Sequence, residues 1–223
     1  MSAEILLSGF DKTTQELAFR VYCTEVPEAE RMQMHKAEHF AALDLLGAAL
    51  CRDFGIRHAK ICRTGLDKPR LVHDSLHMNL SHCKGLAVCA VSRVPVGIDA
   101  ETPRQVRDSL LPRICTPAET DWISSQNNKN LAFSRLWTLK EAYAKYTGAG
   151  IREPFSQLAF SLTDGIRFHH PDAENVRFFQ LIRENHQVVT VCLPNGVWGL
   201  IPQRGLGQSP NLYDREAIPY IPR

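Results

Sequence analysis

The run Trp137-Thr138-Leu139-Lys140-Glu141-Ala142-Tyr143-Ala144-Lys145-Tyr146-Thr147-Gly148 constrains this chain more than any other segment. As a helix it sets Trp137, Glu141 and Lys145 four residues apart, stacked along one face. Taken alone, a Glu four residues before a Lys is an ordinary solvated helix pair worth ~0.2–0.5 kcal/mol. A second element upstream, Val96-Gly97-Ile98-Asp99-Ala100-Glu101, gives the pair more meaning. In an extended strand Asp99 and Glu101 point to the same side, because the strand period is two. Two carboxylates from a strand end and a third from a helix suit a hard cation such as Mg²⁺, which takes oxygen ligands and keeps positions for water and phosphate.

With 223 residues and 44% hydrophobic content, the chain can form one large domain or two small packed halves. A formal net charge of +2 provides no overall basic field for nucleic acid or an anionic membrane surface. Aromatic residues make up only 8%, which disfavours a nucleic-acid-binding module further. The start, Met1-Ser2-Ala3-Glu4, lacks the basic region of a secretion signal. Apolar runs such as Leu86-Ala87-Val88-Cys89-Ala90-Val91 are too short to span a bilayer. The expectation is a cytoplasmic protein. The seven cysteines are odd in number and no two are spaced C-x-x-C, which argues against a disulfide framework and a zinc knuckle and fits a reducing compartment. Cys83 directly follows His82, but neighbours on an extended chain face opposite ways, which argues against a thiol–imidazole pair.

Element patterns come in a repeating order. Ile5-Leu6-Leu7 predicts a strand, and a helical pattern over residues 29–54 carries Leu43, Leu46, Leu50 and Phe54 before Gly55. Short apolar runs near residues 60–62, 78–80, 86–91 and 96–98 follow, predicting a helix on an antiparallel meander. Helical patterns over 117–124 and 129–147, then strands over 158–162, 176–182 and 188–193, repeat that plan. The expected fold class is α+β: two similar halves related by a pseudo-twofold, each a long helix packed on a small antiparallel sheet. The halves are placed at residues 1–100 and 101–200, with a draped tail rich in Gly, Pro and Gln over 201–223.

Four patterns occur in order: Asp67-Lys68-Pro69, Asn79-Leu80-Ser81-His82, Val96-Gly97-Ile98-Asp99-Ala100-Glu101, and Trp137-Thr138-Leu139-Lys140-Glu141 with Lys145 and Gly148. Their order and spacing resemble the phosphopantetheinyl transferases of the surfactin-synthetase-activating type, over roughly residues 31–193. G-I-D-x-E alone is a weak signal, and W-T-x-K-E-A-x-x-K-x-x-G is a strong one.

The resemblance implies a two-half monomer that moves the 4′-phosphopantetheine arm of coenzyme A onto a serine of an apo acyl or peptidyl carrier protein. It implies that Asp99, Glu101 and Glu141 hold Mg²⁺ with the pyrophosphate, and that Glu141 and Lys145 are catalytic. Glu141 would accept the serine proton directly or through metal-bound water, and the sequence leaves both open. Lys145 would offset charge on the leaving group. Arg31, Lys68, Ser81, His82, Lys140 and Lys145 fall at positions that bind coenzyme A in the family, though Lys140 points about 100° around the helix from Glu141. Glu119 matches an acidic position near the metal, and equally suits a helix N-terminus. Departures are Asp67 for a glycine, Cys83 for a hydroxyl residue, and Leu43 for an arginine four residues before Gly47. Residues 106–111 offer Val106 and Leu110, placed on one helix face among Arg104, Arg107 and Arg113, as a docking spot for an acidic carrier helix. The competing reading is a coenzyme A-binding regulator of the same fold that no longer transfers.

Overall fold

The computed structural model describes residues 3–14, 16–27, 31–62, 69–72, 75–148 and 154–200. In chain order these form β1 (Glu4–Asp11), β2 (Leu17–Glu25), α1 (Arg31–Phe54), β3 (Ile61–Cys62), β4 (Arg70–Leu71), β5 (His77–Cys83), β6 (Leu86–Ser92) and β7 (Gly97–Glu101). A 3-10 turn (Asp108–Leu110) then leads to α2 (Leu111–Ile114), α3 (Pro117–Ser125), α4 (Lys129–Thr147), β8 (Ala159–Ser161), β9 (Arg167–His169), β10 (Val176–Ile182), β11 (Val188–Pro194) and β12 (Val197–Leu200).

Two antiparallel sheets organise the molecule, one in the order β12-β1-β2-β6-β5 and one in the order β10-β11-β7. Alternation along the strands explains their packing. In β6, Leu86, Val88 and Ala90 turn toward the second sheet, where they meet Ile98, Val189 and Val191. Cys89 and Val91 turn the other way and meet Leu45, Leu46 and Leu50 of α1. In β11, Cys192 faces α4, whose Leu136, Leu139 and Ala142 complete that cluster with Phe178. The order of layers is therefore α1, first sheet, second sheet, α4. Each fully buried leucine in these layers contributes about 1.5–3 kcal/mol relative to exposure.

The sequence pattern predicted a meander in the first half; the sheet is instead built from distant segments. β2, absent from the expected elements, runs between β1 and β6, and β12 reaches back from the far end of the chain to pair with β1. The order of connections still repeats. β2, α1, β5 and β6 pair as β2-β6-β5, and β7, α4, β10 and β11 pair as β7-β11-β10. The C-terminal tail beyond residue 200 lies outside the described residues.

Both helices that flank the acidic residues have defined ends. Asn128 caps α4 by accepting from the Leu131 N–H, and Gly148 ends it at φ 72°, a left-handed conformation that glycine adopts without a Cβ penalty. Thr116 and Glu119 form a reciprocal capping box at the start of α3, with Pro117 in its first turn.

Candidate active site

β5 and β7 are edge strands of their respective sheets, and they lie against each other. Side chains of β5 supply the partners that the edge of β7 lacks. Asn79 Oδ1 accepts from the Ile98 N–H at 2.7 Å, and Ser81 Oγ accepts from the Ala100 N–H at 3.3 Å. This pins β7 in place and presents Asp99 and Glu101 on the side facing α4.

α4 can approach β7 closely because position 97 is glycine: a Cβ there would meet the Ala142 carbonyl oxygen and the Tyr146 backbone. A buried polar layer fixes the helix register. The Gln180 side-chain amide donates to the Arg135 carbonyl, Thr138 Oγ1 and Thr190 Oγ1, while its Oε1 accepts from Arg135 Nε at 2.9 Å. Thr190 lies directly opposite Asp99 in the sheet. Glu141 and Lys145 are thereby carried over the end of β7.

Asp99 is only 5% exposed, and Lys145 Nζ donates to its Oδ1 at 2.6 Å. The Ser81 hydroxyl donates to the same oxygen at 2.9 Å and accepts from Lys145 at 3.0 Å. Asp99 Oδ2 is buried with no hydrogen-bond partner among the described residues. Burial first, then the Asp99 charge, push the Glu101 carboxyl up to about 7, against the opposing Arg104 charge, a hydrogen bond from the Trp137 indole, and Lys145. Burial and Asp99 also raise Glu141, with Lys145 opposing. Each rise has the same physical source: three carboxylates share a partly desolvated space with one ammonium.

Among the described residues, no three His, Cys, Asp or Glu side chains converge as a ready-made metal site. The donor set nevertheless fits a hard divalent cation. It is all oxygen, carries more negative than positive charge, and includes a buried carboxylate oxygen left without a partner. A cleft of about 390 Å³ opens between the two sheets' hairpins, walled by Val26, Met34 and Gly85 on one side and Gln187 and Thr102, the residue after Glu101, on the other.

Several expected site residues are placed elsewhere. Lys140 is fully buried, and its ammonium donates to Glu119 Oε2 at 2.7 Å, the Ile114 carbonyl at 2.7 Å and the Phe155 carbonyl at 3.0 Å. All three hydrogens are used, so none remains for a phosphate, and the expectation that Lys140 binds coenzyme A is corrected. Glu119 is likewise corrected from a place near the metal. Its oxygens accept from Lys140, the Thr116 N–H and the Phe160 N–H, tying α3 to α4 and β8.

Ser81 and His82 separate across β5. Ser81 joins the acidic cluster, where its hydroxyl proton is committed to Asp99, while His82 faces α1 with its Nδ1 3.3 Å from Glu38 Oε2. Trp137 packs on Phe133 and Phe155 as an anchor, and its hydrogen bond to Glu101 was not foreseen. Cys83 is buried and its thiol pushed up to about 12 by desolvation, in keeping with an inert packing residue. The Arg31 side chain and all of Lys68 lie outside the described residues.

Residues 95–192, which contain Asp99, Glu101, Glu141 and Lys145, match the model of the 4′-phosphopantetheinyl transferase superfamily. Over that stretch, which is less than half of its length, the chain is similar to the superfamily. Curated relatives carry the same name. The 4′-phosphopantetheinyl transferase gsp of Aneurinibacillus migulanus is 33% identical over 121 residues, 50% of this chain and 51% of the relative. HetI of Nostoc sp. (strain PCC 7120) is 29% identical over 197 residues, 82% of this chain and 83% of the relative. Sfp of Bacillus subtilis (strain 168) is 27% identical over 103 residues, 44% of this chain and 46% of the relative. The match thus spans about half the length of gsp and of Sfp, and most of HetI. Among the described residues, no helix of this chain is long and apolar enough to cross a membrane.

Proposed function

We propose that this protein transfers the 4′-phosphopantetheine arm of coenzyme A to a serine of an apo acyl or peptidyl carrier protein, releasing 3′,5′-ADP, with Mg²⁺ required. In this reading the carrier serine oxygen attacks the phosphorus attached to pantetheine. The bond from that phosphorus to the bridging oxygen breaks, the bridging oxygen leaves with 3′,5′-ADP, and the serine proton passes to a base.

The observation that carries the reading is the gathering of Asp99, Glu101 and Glu141 about Lys145, with Asp99 Oδ2 buried and unpartnered. Asp99, Glu101 and Glu141 are the residues that would hold Mg²⁺, whose bound charge neutralises phosphoryl oxygens. Lys145, half-buried and already aimed at this point, offsets charge on the departing 3′,5′-ADP. Glu141 takes the serine proton, directly or through an intervening water. The cleft walled by Met34 and Thr102, the residue after Glu101, offers room for the donor.

The repeated connection order supports two related halves with a pseudo-twofold between them, the second beginning with β7 rather than at residue 101 as the sequence suggested. The proposal takes the protein as a cytoplasmic monomer. The deciding experiment incubates the protein with Mg²⁺, coenzyme A and an apo carrier, then weighs the carrier. A gain of one phosphopantetheine that disappears in chelator is the expected result. Coenzyme A binding with no mass gain on any carrier class would overturn transfer in favour of a regulator.

A further inference from the structure

The turn between β5 and β6, Lys84-Gly85, is gripped by four other segments of the chain. Gln187 Nε2 donates to the Lys84 carbonyl at 2.8 Å, and the Thr102 hydroxyl donates to the same oxygen at 3.3 Å. On the next residue, the Gly85 N–H donates to Glu38 Oε1 at 3.1 Å, and the Gly85 carbonyl accepts from the Val26 N–H at 3.0 Å. Glu38 lies on α1 and Val26 follows β2, whereas Thr102 directly follows β7 and Gln187 directly precedes β11. The turn is therefore a point where the two sheets are stitched together. Val26, Lys84, Gly85, Thr102 and Gln187 all line the cleft of about 390 Å³.

This turn does not owe its shape to its own geometry. Gly85 sits at φ 76°, while Lys84 is not left-handed. The two-residue hairpin turns that match strand twist carry a positive φ at their first residue. A turn of the other kind leans on its tethers. Of the two side chains on the Lys84 carbonyl, Gln187 is the buried one, 4% exposed, and Thr102 is half-exposed. Removing the Gln187 donor leaves the carbonyl with the longer contact, at the place where water competes with it.

Gln187 is itself presented from a braced hairpin. The Arg183 N–H donates to the Gln187 carbonyl at 2.9 Å and the His186 N–H to the Arg183 carbonyl at 2.8 Å, closing the loop between β10 and β11. Exposed His186 completes it at φ 63°, the left-handed place that such loops usually give to glycine. The Arg183 guanidinium then reaches the first sheet. Its Nη1 lies 3.2 Å from Cys23 Sγ and 3.7 Å from Glu4 Oε2, and its Nη2 lies 3.4 Å from Glu25 Oε1. The hairpin is thus anchored on β1 and β2 while Gln187 holds the β5–β6 turn.

Resting on the coenzyme A reading above, we propose that Gln187 is a positioning residue for the donor: through the Lys84 carbonyl it holds the β5–β6 turn as a fixed wall of the cleft. The shared carbonyl also ties that wall to Thr102, and so to the strand end that carries Glu101. A wall already in place need not be ordered when the donor binds. A wall in place for only a fraction of the time raises the apparent Kd by the reciprocal of that fraction. Gln187 touches no reacting atom in this reading, so its loss acts on donor binding and leaves the chemical step intact.

The test is calorimetric binding of coenzyme A, carrier-transfer kinetics and amide hydrogen exchange in the wild type, Gln187→Met, Thr102→Val and the double variant. Gln187→Met keeps the length of the side chain and removes the donated hydrogen bond. Its coenzyme A Kd and KM should rise roughly fivefold, the scale of one neutral hydrogen bond, with kcat and carrier KM unchanged. Because Thr102 acts on the same oxygen, the effects of Gln187→Met and Thr102→Val on Kd should be non-additive. Thr102→Ser, which keeps the hydroxyl, should match the wild type. With no ligand added, the Gly85 and Val26 amides should exchange faster in Gln187→Met while those of β6 stay protected. An unchanged coenzyme A Kd in folded Gln187→Met overturns the positioning role, as does a loss of kcat at unchanged donor KM. If Gln187→Met does not fold, a wild-type Kd and wild-type Gly85 exchange in Thr102→Val overturn it instead. Binding of coenzyme A without transfer in the wild type overturns the reaction and leaves this role standing.

Discussion

Asp99 is the residue on which the site's electrostatics converge. It accepts from both Lys145 and Ser81 on one oxygen, keeps the other unpartnered, and raises the proton affinity of two neighbouring glutamates. Under the proposed function, Asp99→Ala lowers kcat/KM for carrier modification by at least ~10²–10³, the usual cost of one strong electrostatic contact. Single-turnover assays in saturating Mg²⁺ check this, and near-wild-type rates would sink the assignment. Glu101 makes a separate, pH-dependent prediction. Its carboxyl is pushed from 4.5 up to about 7 in the folded protein, so folding favours its protonated form. The contribution to stability is complete below the unfolded value and is lost as pH rises through about 7. In chelator, Glu101→Gln should therefore melt at a higher temperature than wild type at about pH 8, with the two converging toward about pH 4. Thermal melts across that range decide it, and a variant less stable at the alkaline end contradicts the like-charge account.

At the scale of elements, what the sequence revealed and what it hid have different physical sources. α4, α3 and β10 were legible because their periodicity and caps are local signals, written in Asn128, Thr116 and Gly148. β2 was not. Flanked by β1 and β6 and covered on both faces, its buried positions run together and lose the alternation of a half-exposed strand. The separation of Ser81 from His82 was implicit in the strand period, whereas the pairing of Lys140 with Glu119 is tertiary and no local pattern contains it. That pair now predicts the fate of Lys140→Met. Removing the ammonium leaves Glu119 buried without its counter-charge, a loss of about 3–5 kcal/mol. Denaturant titration should register it, while the coenzyme A KM, measured well below the melting point, stays near wild type. A raised KM at full stability would return Lys140 to the binding site. Gly97→Ala tests the β7–α4 approach. The added methyl meets the backbone of Ala142 and Tyr146, so the helix must shift, at about 1–3 kcal/mol. Because Glu141 and Lys145 ride on that helix, transfer should fall more than the stability loss explains. Wild-type activity in a folded Gly97→Ala protein would show that the acids tolerate such displacement.

For the whole molecule, the proposed function requires a surface on which a carrier protein docks. The chain from Glu101 leaves the acidic strand through a largely exposed segment and the 3-10 turn before entering α2 and α3. The sequence placed Val106 and Leu110 on one helix face, and the structure corrects this. Val106 precedes the 3-10 turn and packs against the α4 cluster together with Leu111, because each buries apolar surface there. Leu110 turns outward, 42% exposed, and Arg104, Arg107 and Arg113 of the same segment are exposed as well. An exposed leucine in an arginine-rich segment suits an acidic helix: the charges speed encounter and orient it, and the leucine is the part desolvated on contact. Leu110 follows Glu101 by nine residues, and under the proposed function a carrier docked on this segment presents its serine to the acids. Leu110→Glu reverses the charge at that centre without disturbing the core. The expected outcome is a carrier KM raised roughly tenfold, equivalent to about 1.4 kcal/mol, with coenzyme A KM and melting temperature unchanged. An unchanged carrier KM in the folded variant would move the docking surface away from this segment, leaving Leu110 an isolated exposed leucine of the ordinary kind.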